Sequence, residues 1–104
     1  MSIDRDYWVY ILTNRKQTVL YTGVTNNLLR RIAEHKTVAQ GRAKFTAKYN
    51  VNILVYFERY STIHDAIRRE KQLKAGPRRQ KRELICSMNP KWHDLTGLII
   101  DYYN

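Results

Sequence analysis

The 104 residues suffice for one small domain and carry nineteen Lys and Arg against nine Asp and Glu, a formal net charge of +10. Such a charge disfavours compaction by self-repulsion and is typical of proteins that bind a polyanion. The start MSIDRDYW lacks a signal segment, no run approaches the roughly 20 apolar residues of a membrane span, and the single Cys86 excludes an internal disulfide. We therefore expect a basic, cytoplasmic, single-domain protein.

Two short segments near the N-terminus predict a β-hairpin. Residues 7–12, YWVYIL, and 19–24, VLYTGV, are rich in aromatic and β-branched residues, and the polar TNRKQT between them indicates a loop. If that loop is centred on Arg15 and Lys16, then Tyr10 and Tyr21 are cross-strand partners. Both phenols then stand on one face of the sheet.

The next segment predicts a helix followed by a long polar loop and a third strand. The helix begins after Asn26 or Asn27 as N-cap and runs to about Lys36. Its apolar stripe is formed by Leu28, Leu29, Ile32 and Ala33. The glycine-containing TVAQGRAKFTAKYN is an exposed loop, and VNILVYFERY, residues 51–60, is a strand.

Two further helices are predicted before an apolar tail. Thr62 and Asp65 resemble a capping box at the start of one helix, and Gly76 ends it. Pro77 opens the next, over roughly 78–88. We expect an α+β domain over 1–95, with a three-stranded, mostly antiparallel sheet flanked by helices in the order β-β-α-β-α-α. The tail, 96–104, has no clean period and is expected to pack on the domain or at an interface.

Arg31 and His35 are candidate site residues because they lie four apart and share a helix face. Arg30 is rotated by one residue toward solvent. Gly23, near the end of the preceding strand, allows close approach of backbone or ligand because it has no side chain. The alternative is that both arginines only solvate the helix.

Glu70 is a second candidate because of its place in the helical pattern. It lies four residues after Ala66 and three before Leu73, on the apolar side of its helix. A carboxylate there needs a partner, a metal or contact with a cleft. The alternative is an i,i+4 ion pair with Lys74 at the edge of the stripe.

Basic residues are concentrated in two segments that suit a nucleic acid. Residues 68–82, RREKQLKAGPRRQKR, have eight basic side chains and the single acid Glu70, a density that favours phosphate neutralisation. In RAKFTAKY, 42–49, basic and aromatic residues alternate as in surfaces that clamp a backbone and stack on bases. The alternatives are a solvated face and a flexible basic loop. The candidate nucleic-acid-binding residues are Arg30, Lys44, Lys48, Tyr49, Arg69, Lys74, Arg78, Arg79 and Lys81.

The ordered set of motifs resembles the GIY-YIG nuclease domain, and more narrowly its small stand-alone subfamily. The resemblance rests on WVYIL, YTG, an arginine eight residues past the glycine, and a glutamate on a later helix. It extends through LYTGVTNNLLRRIAEHK, FTAKYNVNILVYFE, AIRREKQLK and NPKWHDL, over about 7–95. The first motif reads Trp8-Val9-Tyr10 without its Gly and Ile, and Thr22 replaces Ile in the second. By position, the resemblance assigns catalytic places to Tyr10, Tyr21, Arg31, His35 and Glu70.

The resemblance implies hydrolysis of a DNA phosphodiester with Mg²⁺ or Mn²⁺, in repair or recombination. Glu70 would anchor the metal, Arg31 would grip the phosphoryl oxygens, and Tyr21, Tyr10 or His35 would activate water. No base-reading helix is evident, so cleavage is expected to be structure-guided, nonspecific or directed by a protein partner. RNA remains open as a substrate.

Two alternative functions explain parts of the same sequence. A non-catalytic nucleic-acid-binding module on this fold would account for the charge and the aromatic basic loop. A partner-binding protein that assembles through LTGLIIDYY would bind DNA weakly and without the steep salt dependence of phosphate contacts.

Overall fold

The computed structural model describes residues 6–36 and 50–104, and these residues form three strands and four helices. In chain order these are β1 Tyr7–Thr13, β2 Leu20–Thr25, α1 Leu28–Lys36, β3 Ile53–Tyr60, α2 Ile63–Ala75, α3 Arg78–Met88 and α4 Thr96–Tyr103. The predicted α+β class is confirmed, and the order gains a fourth helix. Residues 37–49 of the predicted loop lie outside the described residues. Within the described ranges, none of the helices is long and apolar enough to cross a bilayer.

The sheet separates two helical layers. Its order is β2-β1-β3, with both pairings antiparallel and β1 in the centre. Trp8, Tyr10 and Leu12 of β1 face the core that contains α1 residues. Val9 and Ile11 face the opposite way, toward α2 and α3. This alternation follows from the two-residue period of a strand. Strand β2 is at the edge of the sheet, where residues of both helical layers can lie close to it.

The hairpin register differs from the predicted one by two residues. Tyr10 lies opposite Gly23, and Tyr21 lies opposite Leu12, so the predicted Tyr10–Tyr21 pair is wrong. The side chain of Asn14 accepts from the backbone N–H of Thr18 at 2.8 Å and moves the centre of the loop toward the C-terminus. Because a two-residue shift keeps every side chain on its face, both tyrosines still share one surface.

The helix starts follow local capping chemistry. The Asn27 side chain accepts from the backbone N–H of Arg30 at 3.0 Å, which selects it as the N-cap of α1. Thr62 accepts from the N–H of Asp65 at 3.3 Å and caps α2, as expected. The buried stripe of α1 consists of Leu28, Ile32 and His35, whereas Ala33, which was predicted to belong to it, is exposed.

The C-terminal segment is a helix that completes the first core. Ile99 of α4 is only 1% exposed and packs in the same cluster as Leu28 and Ile32 of α1. The hydroxyl of Tyr103 accepts from the backbone N–H of Leu28 at 3.2 Å, where α1 begins. Through Ile99 and Tyr103, α4 therefore contacts the same core cluster and the start of α1.

Candidate active site

Two tyrosines and a histidine form an aromatic cluster between the sheet and α1. The ring centroids of Tyr10 and Tyr21 are 6.4 Å apart, and that of His35 lies 6.2 Å from Tyr10 and 5.4 Å from Tyr21. Tyr10 is completely buried, His35 is 4% exposed, and Tyr21 is partly exposed. Tyr21 is therefore the member of the cluster that solvent or a ligand can reach.

Arg31 lies beside the buried phenol of Tyr10. Burial raises the pKa of Tyr10 well above its usual value, the nearby Tyr21 adds to the rise, and the Arg31 guanidinium opposes it. Tyr10 therefore remains protonated at neutral pH. Arg31 itself is 38% exposed in its side chain, and its Nε lies 3.3 Å from a carboxylate oxygen of Glu34. Its guanidinium can thus contact both the aromatic cluster and solvent.

Glu70 approaches the same region from the other helical layer. It lies on α2, which packs across β1 and β2, and its side chain is 15% exposed. The negative charge of the Glu70 carboxylate contributes slightly to the raised pKa of the Tyr10 phenol. One carboxylate oxygen also lies 3.2 Å from the Nζ of Lys74. The i,i+4 ion pair considered from the sequence is therefore present.

A pocket of about 370 Å³ opens at the edge strand next to these groups. It is lined by Leu20, Tyr21, Thr22, Lys74 and Lys81. Its walls combine β2, the end of α2 and the first turns of α3. Lys74, the ion-pair partner of Glu70, forms part of one wall of the pocket. Tyr21 forms part of another wall.

His35 is a buried, neutral imidazole next to the ring of Tyr21. Burial lowers the pKa of His35 from its ordinary value, and the positive charge of Arg31 lowers it further, against a smaller opposite effect of Glu34. At neutral pH the ring is therefore uncharged and retains a nitrogen able to accept a proton.

The described basic candidates lie at the surface or at the pocket, and several of them also have protein partners. Arg30 and Arg79 are exposed, and Lys74 and Lys81 line the pocket. Arg78 donates to the backbone carbonyl of Thr18 at 2.9 Å, beside the hairpin. Lys44, Lys48 and Tyr49 lie outside the described residues.

Arg69 is held by Glu58 and does not belong to an open basic surface. Its Nε and Nη2 donate to the Glu58 carboxylate at 3.0 and 3.1 Å, and the phenols of Tyr56 and Tyr60 donate to the same carboxylate. This bidentate, largely buried pair leaves Arg69 few donors for phosphate, which weighs against the prediction that Arg69 binds nucleic acid.

Glu58 and Thr22 were missed by the sequence reasoning. Glu58 follows Tyr56 and precedes Tyr60 at the two-residue spacing of one strand face, a signal that could have paired it with a cation. Thr22 is 5% exposed and lines the pocket from β2. Its signal was a polar residue at an inward-facing strand position.

The residues present are compatible with a divalent ion bound at Glu70. The described ranges contain no cluster of three or more His, Cys, Asp or Glu side chains suited to a metal. A single carboxylate beside a polar pocket still suits Mg²⁺, because this ion keeps several waters and takes further oxygens from phosphate. Glu70 would hold it with water and substrate oxygens, once the carboxylate is shared with or released from Lys74.

Comparison with known proteins identifies the family of this chain. Residues 6–83 match the family described as the GIY-YIG catalytic domain. The chain belongs to the GIY-YIG family. A UPF0213 protein of Natronomonas pharaonis is 39% identical over 81 residues, 78% of this chain and 92% of that protein. One of Staphylococcus haemolyticus is 40% identical over 79 residues, 76% and 93% of the two chains. The solution NMR structure of the UPF0213 protein BH0048 from Bacillus halodurans has a TM-score of 0.54, with 29% identity, covering 89% of this chain and 96% of that one.

The GIY-YIG domain accommodates the departures in its first motif by packing. Trp8 and Val9 stand where the motif has other residues, and they are 2% and 0% exposed in two different core clusters. Trp8 packs edge-on against Phe57 with centroids 5.8 Å apart. These positions therefore contribute apolar contacts and no chemical group of the candidate site.

Proposed function

We propose that this GIY-YIG domain hydrolyses phosphodiester bonds in DNA with a divalent metal, in repair or recombination, without reading a base sequence. The observation that carries the proposal is the convergence at β2 of Tyr21, Arg31 and His35 from one layer and Glu70 from the other. Tyr10 is completely buried beside them, and the charges of both Arg31 and Glu70 influence its pKa. A purely structural core would not gather these polar groups around an edge strand.

The roles follow from exposure and protonation state. Arg31 presents a rigid fork of donors that can bind the nonbridging oxygens of the scissile phosphate. Tyr21 can orient the attacking water, and the neutral His35 behind it can take up a proton. We assign Tyr10 a positioning role, because its phenol is completely buried and burial raises its pKa.

The metal would be held by Glu70. Bound there, Mg²⁺ would neutralise phosphoryl charge and lower the pKa of a coordinated water. The protein would hold the phosphate with Arg31 and keep the largely buried Glu70 carboxylate beside Lys74, which lines the pocket. Lys81 and Arg78 add positive charge around the same edge strand, which favours approach of the nucleic-acid backbone.

The test is cleavage by the Glu70→Gln variant. Wild type is incubated with Mg²⁺ or Mn²⁺ and a panel of linear, flapped and branched DNAs, with RNA counterparts in parallel. We expect Glu70→Gln to reduce turnover by about 100-fold or more, comparable with the loss of a preorganised electrostatic group. DNA affinity in EDTA should not fall, since the change removes a negative charge.

Glu83→Gln is the matched control, because Glu83 is an exposed acid on α3. It should retain wild-type turnover. Full turnover by Glu70→Gln, or an equal loss in the Glu83 variant, would exclude Glu70 as the metal anchor.

A non-catalytic nucleic-acid-binding module is the second candidate function. The observation that favours it is the Glu70–Lys74 ion pair, because a carboxylate already neutralised at 3.2 Å has no need of a metal. This function predicts salt-dependent DNA binding with no metal-dependent cleavage of any substrate in the panel.

A further inference from the structure

The proposed metal anchor, Glu70, forms an ion pair with Lys74, a lysine that lines the pocket. Lys74 is 54% exposed in its side chain, whereas that of Glu70 is 15% exposed. An i,i+4 pair with one exposed partner is weak and readily exchanged. Lys74 can therefore leave Glu70 for another anion at low cost, while Glu70 has little freedom to move.

The pocket offers a place for such an anion. Lys74 and Lys81 both line it, and the nearly buried Thr22 adds a hydroxyl group to its wall. The Nζ of Lys81 donates to the carbonyl of Gly76 at 2.9 Å, which holds this ammonium at the rim. A volume of about 370 Å³ is large enough for a phosphodiester group with part of its sugar.

We propose that this pocket binds the nucleic-acid phosphate that neighbours the scissile one, and that this phosphate withdraws Lys74 from Glu70. The carboxylate then becomes available to a divalent cation only when a strand is in place. The inference rests on the proposed function, because it concerns the same carboxylate. Its physical basis is that one ammonium cannot neutralise Glu70 and a phosphate with equal strength at the same time.

Metal binding and strand binding should therefore be coupled. Without DNA, the ammonium of Lys74 repels a divalent cation and competes for the same oxygens of Glu70. With DNA, this competition is relieved, and by linkage the metal must strengthen strand binding by the same factor. Ordered loading of this kind would limit metal binding to the substrate complex.

The first measurement is Mn²⁺ binding without DNA, followed by the EPR signal of the free ion. Lys74→Met should bind Mn²⁺ about 3- to 10-fold more tightly than wild type at low salt, because a nearby positive charge is lost. Lys71→Met is the matched control, since Lys71 is an exposed lysine on the same helix. It should change the affinity less than about 2-fold. Glu70→Gln should abolish the site in either background.

The second measurement is binding of a fluorescent DNA oligonucleotide in EDTA, followed by anisotropy over a range of salt concentrations. Lys81→Met and Lys74→Met should each weaken binding about 3- to 10-fold and reduce the salt slope by about one. Glu70→Gln should bind more tightly than wild type, because Lys74 is then free for phosphate.

The outcomes separate this inference from the proposed function. If Lys74→Met binds Mn²⁺ no better than wild type, or if Lys71→Met gains equally, the exchange of Lys74 is refuted even when Glu70-dependent cleavage is observed. If both measurements give the expected changes but no substrate is cleaved, the exchange stands and the nuclease function fails.

Discussion

Gly23 sits directly beneath the most buried group of the candidate site, and its replacement tests how the site is packed. Gly23 lies opposite Tyr10 in the β1–β2 pairing, and the Tyr10 ring lies over it. A Cβ at position 23 would approach the Cε1 of that ring to 2.9 Å and would meet its Cζ and hydroxyl oxygen more closely still. Gly23→Ala therefore requires the Tyr10 ring to move.

The cost follows from the surroundings of that ring. Tyr10 is 0% exposed, and the rings of Tyr21 and His35 lie with centroids 6.4 and 6.2 Å away, so little free space exists for a displaced phenol. Overpacking a core site typically costs about 1–3 kcal/mol, and we expect the upper part of that range. For a domain of this size the melting temperature should fall by about 10 to 20 °C.

The assay is urea unfolding followed by circular dichroism, with thermal melting in parallel. Gly97→Ala is the control, because a Cβ at this position in α4 meets nothing within 4 Å. It should leave stability unchanged or raise it by up to about 1 kcal/mol, since alanine favours a helix. Adding Tyr10→Phe to Gly23→Ala removes the closest colliding atom and should make the pair less destabilising than the sum of both changes. A Gly23→Ala protein within about 0.5 kcal/mol of wild type would refute this account of the packing.

Three further predictions concern the support of the site. Tyr103→Phe removes the hydroxyl that accepts from the backbone N–H of Leu28 and should cost about 1 kcal/mol in urea unfolding. Burial acts to raise the pKa of Glu58, but hydrogen bonds from its arginine and tyrosine partners outweigh it and lower that pKa. The stabilising contribution of the ionised Glu58 is therefore present above its unfolded pKa and lost on acidification. Between pH 6 and pH 3, Glu58→Gln should lose less stability than wild type, as measured by urea unfolding. The pKa of His35 is lowered, so the unfolded state takes up a proton first and stability should decline as pH falls below about 6.5. An NMR titration midpoint for His35 at or above the ordinary histidine value of about 6.5 would contradict this expectation.

Local chemistry was sufficient to place most elements along the chain. The N-caps of α1 and α2 and the end of α2 at Gly76 depend on groups within a few residues of one another, and they occur where short-range patterns predicted them. The same holds for Glu70, whose spacing from Ala66 and Leu73 predicted a place at the edge of a buried stripe and an ion pair with Lys74. These features need no knowledge of distant residues.

The helix at Thr96–Tyr103 was not predicted from the sequence, because its residues are apolar on several sides. Ile99 is buried, but Leu98 is 57% and Ile100 42% exposed, so no 3.6-residue period marks a single face. Its conformation follows from packing against α1, which is distant in sequence.

The amino-acid sequence alone determined which residue types this domain brings to β2, because capping, strand alternation and helical spacing act over a few residues. Only the tertiary structure decided how they are used. The hairpin register placed Tyr10 over Gly23, and packing removed the Tyr10 phenol from solvent. Strand β3 brought Glu58 to Arg69, and this ion pair draws Arg69 away from the basic surface. The physical reason is that burial and partner choice depend on groups far apart in the chain, whose energies exist only once the two helical layers close on the sheet.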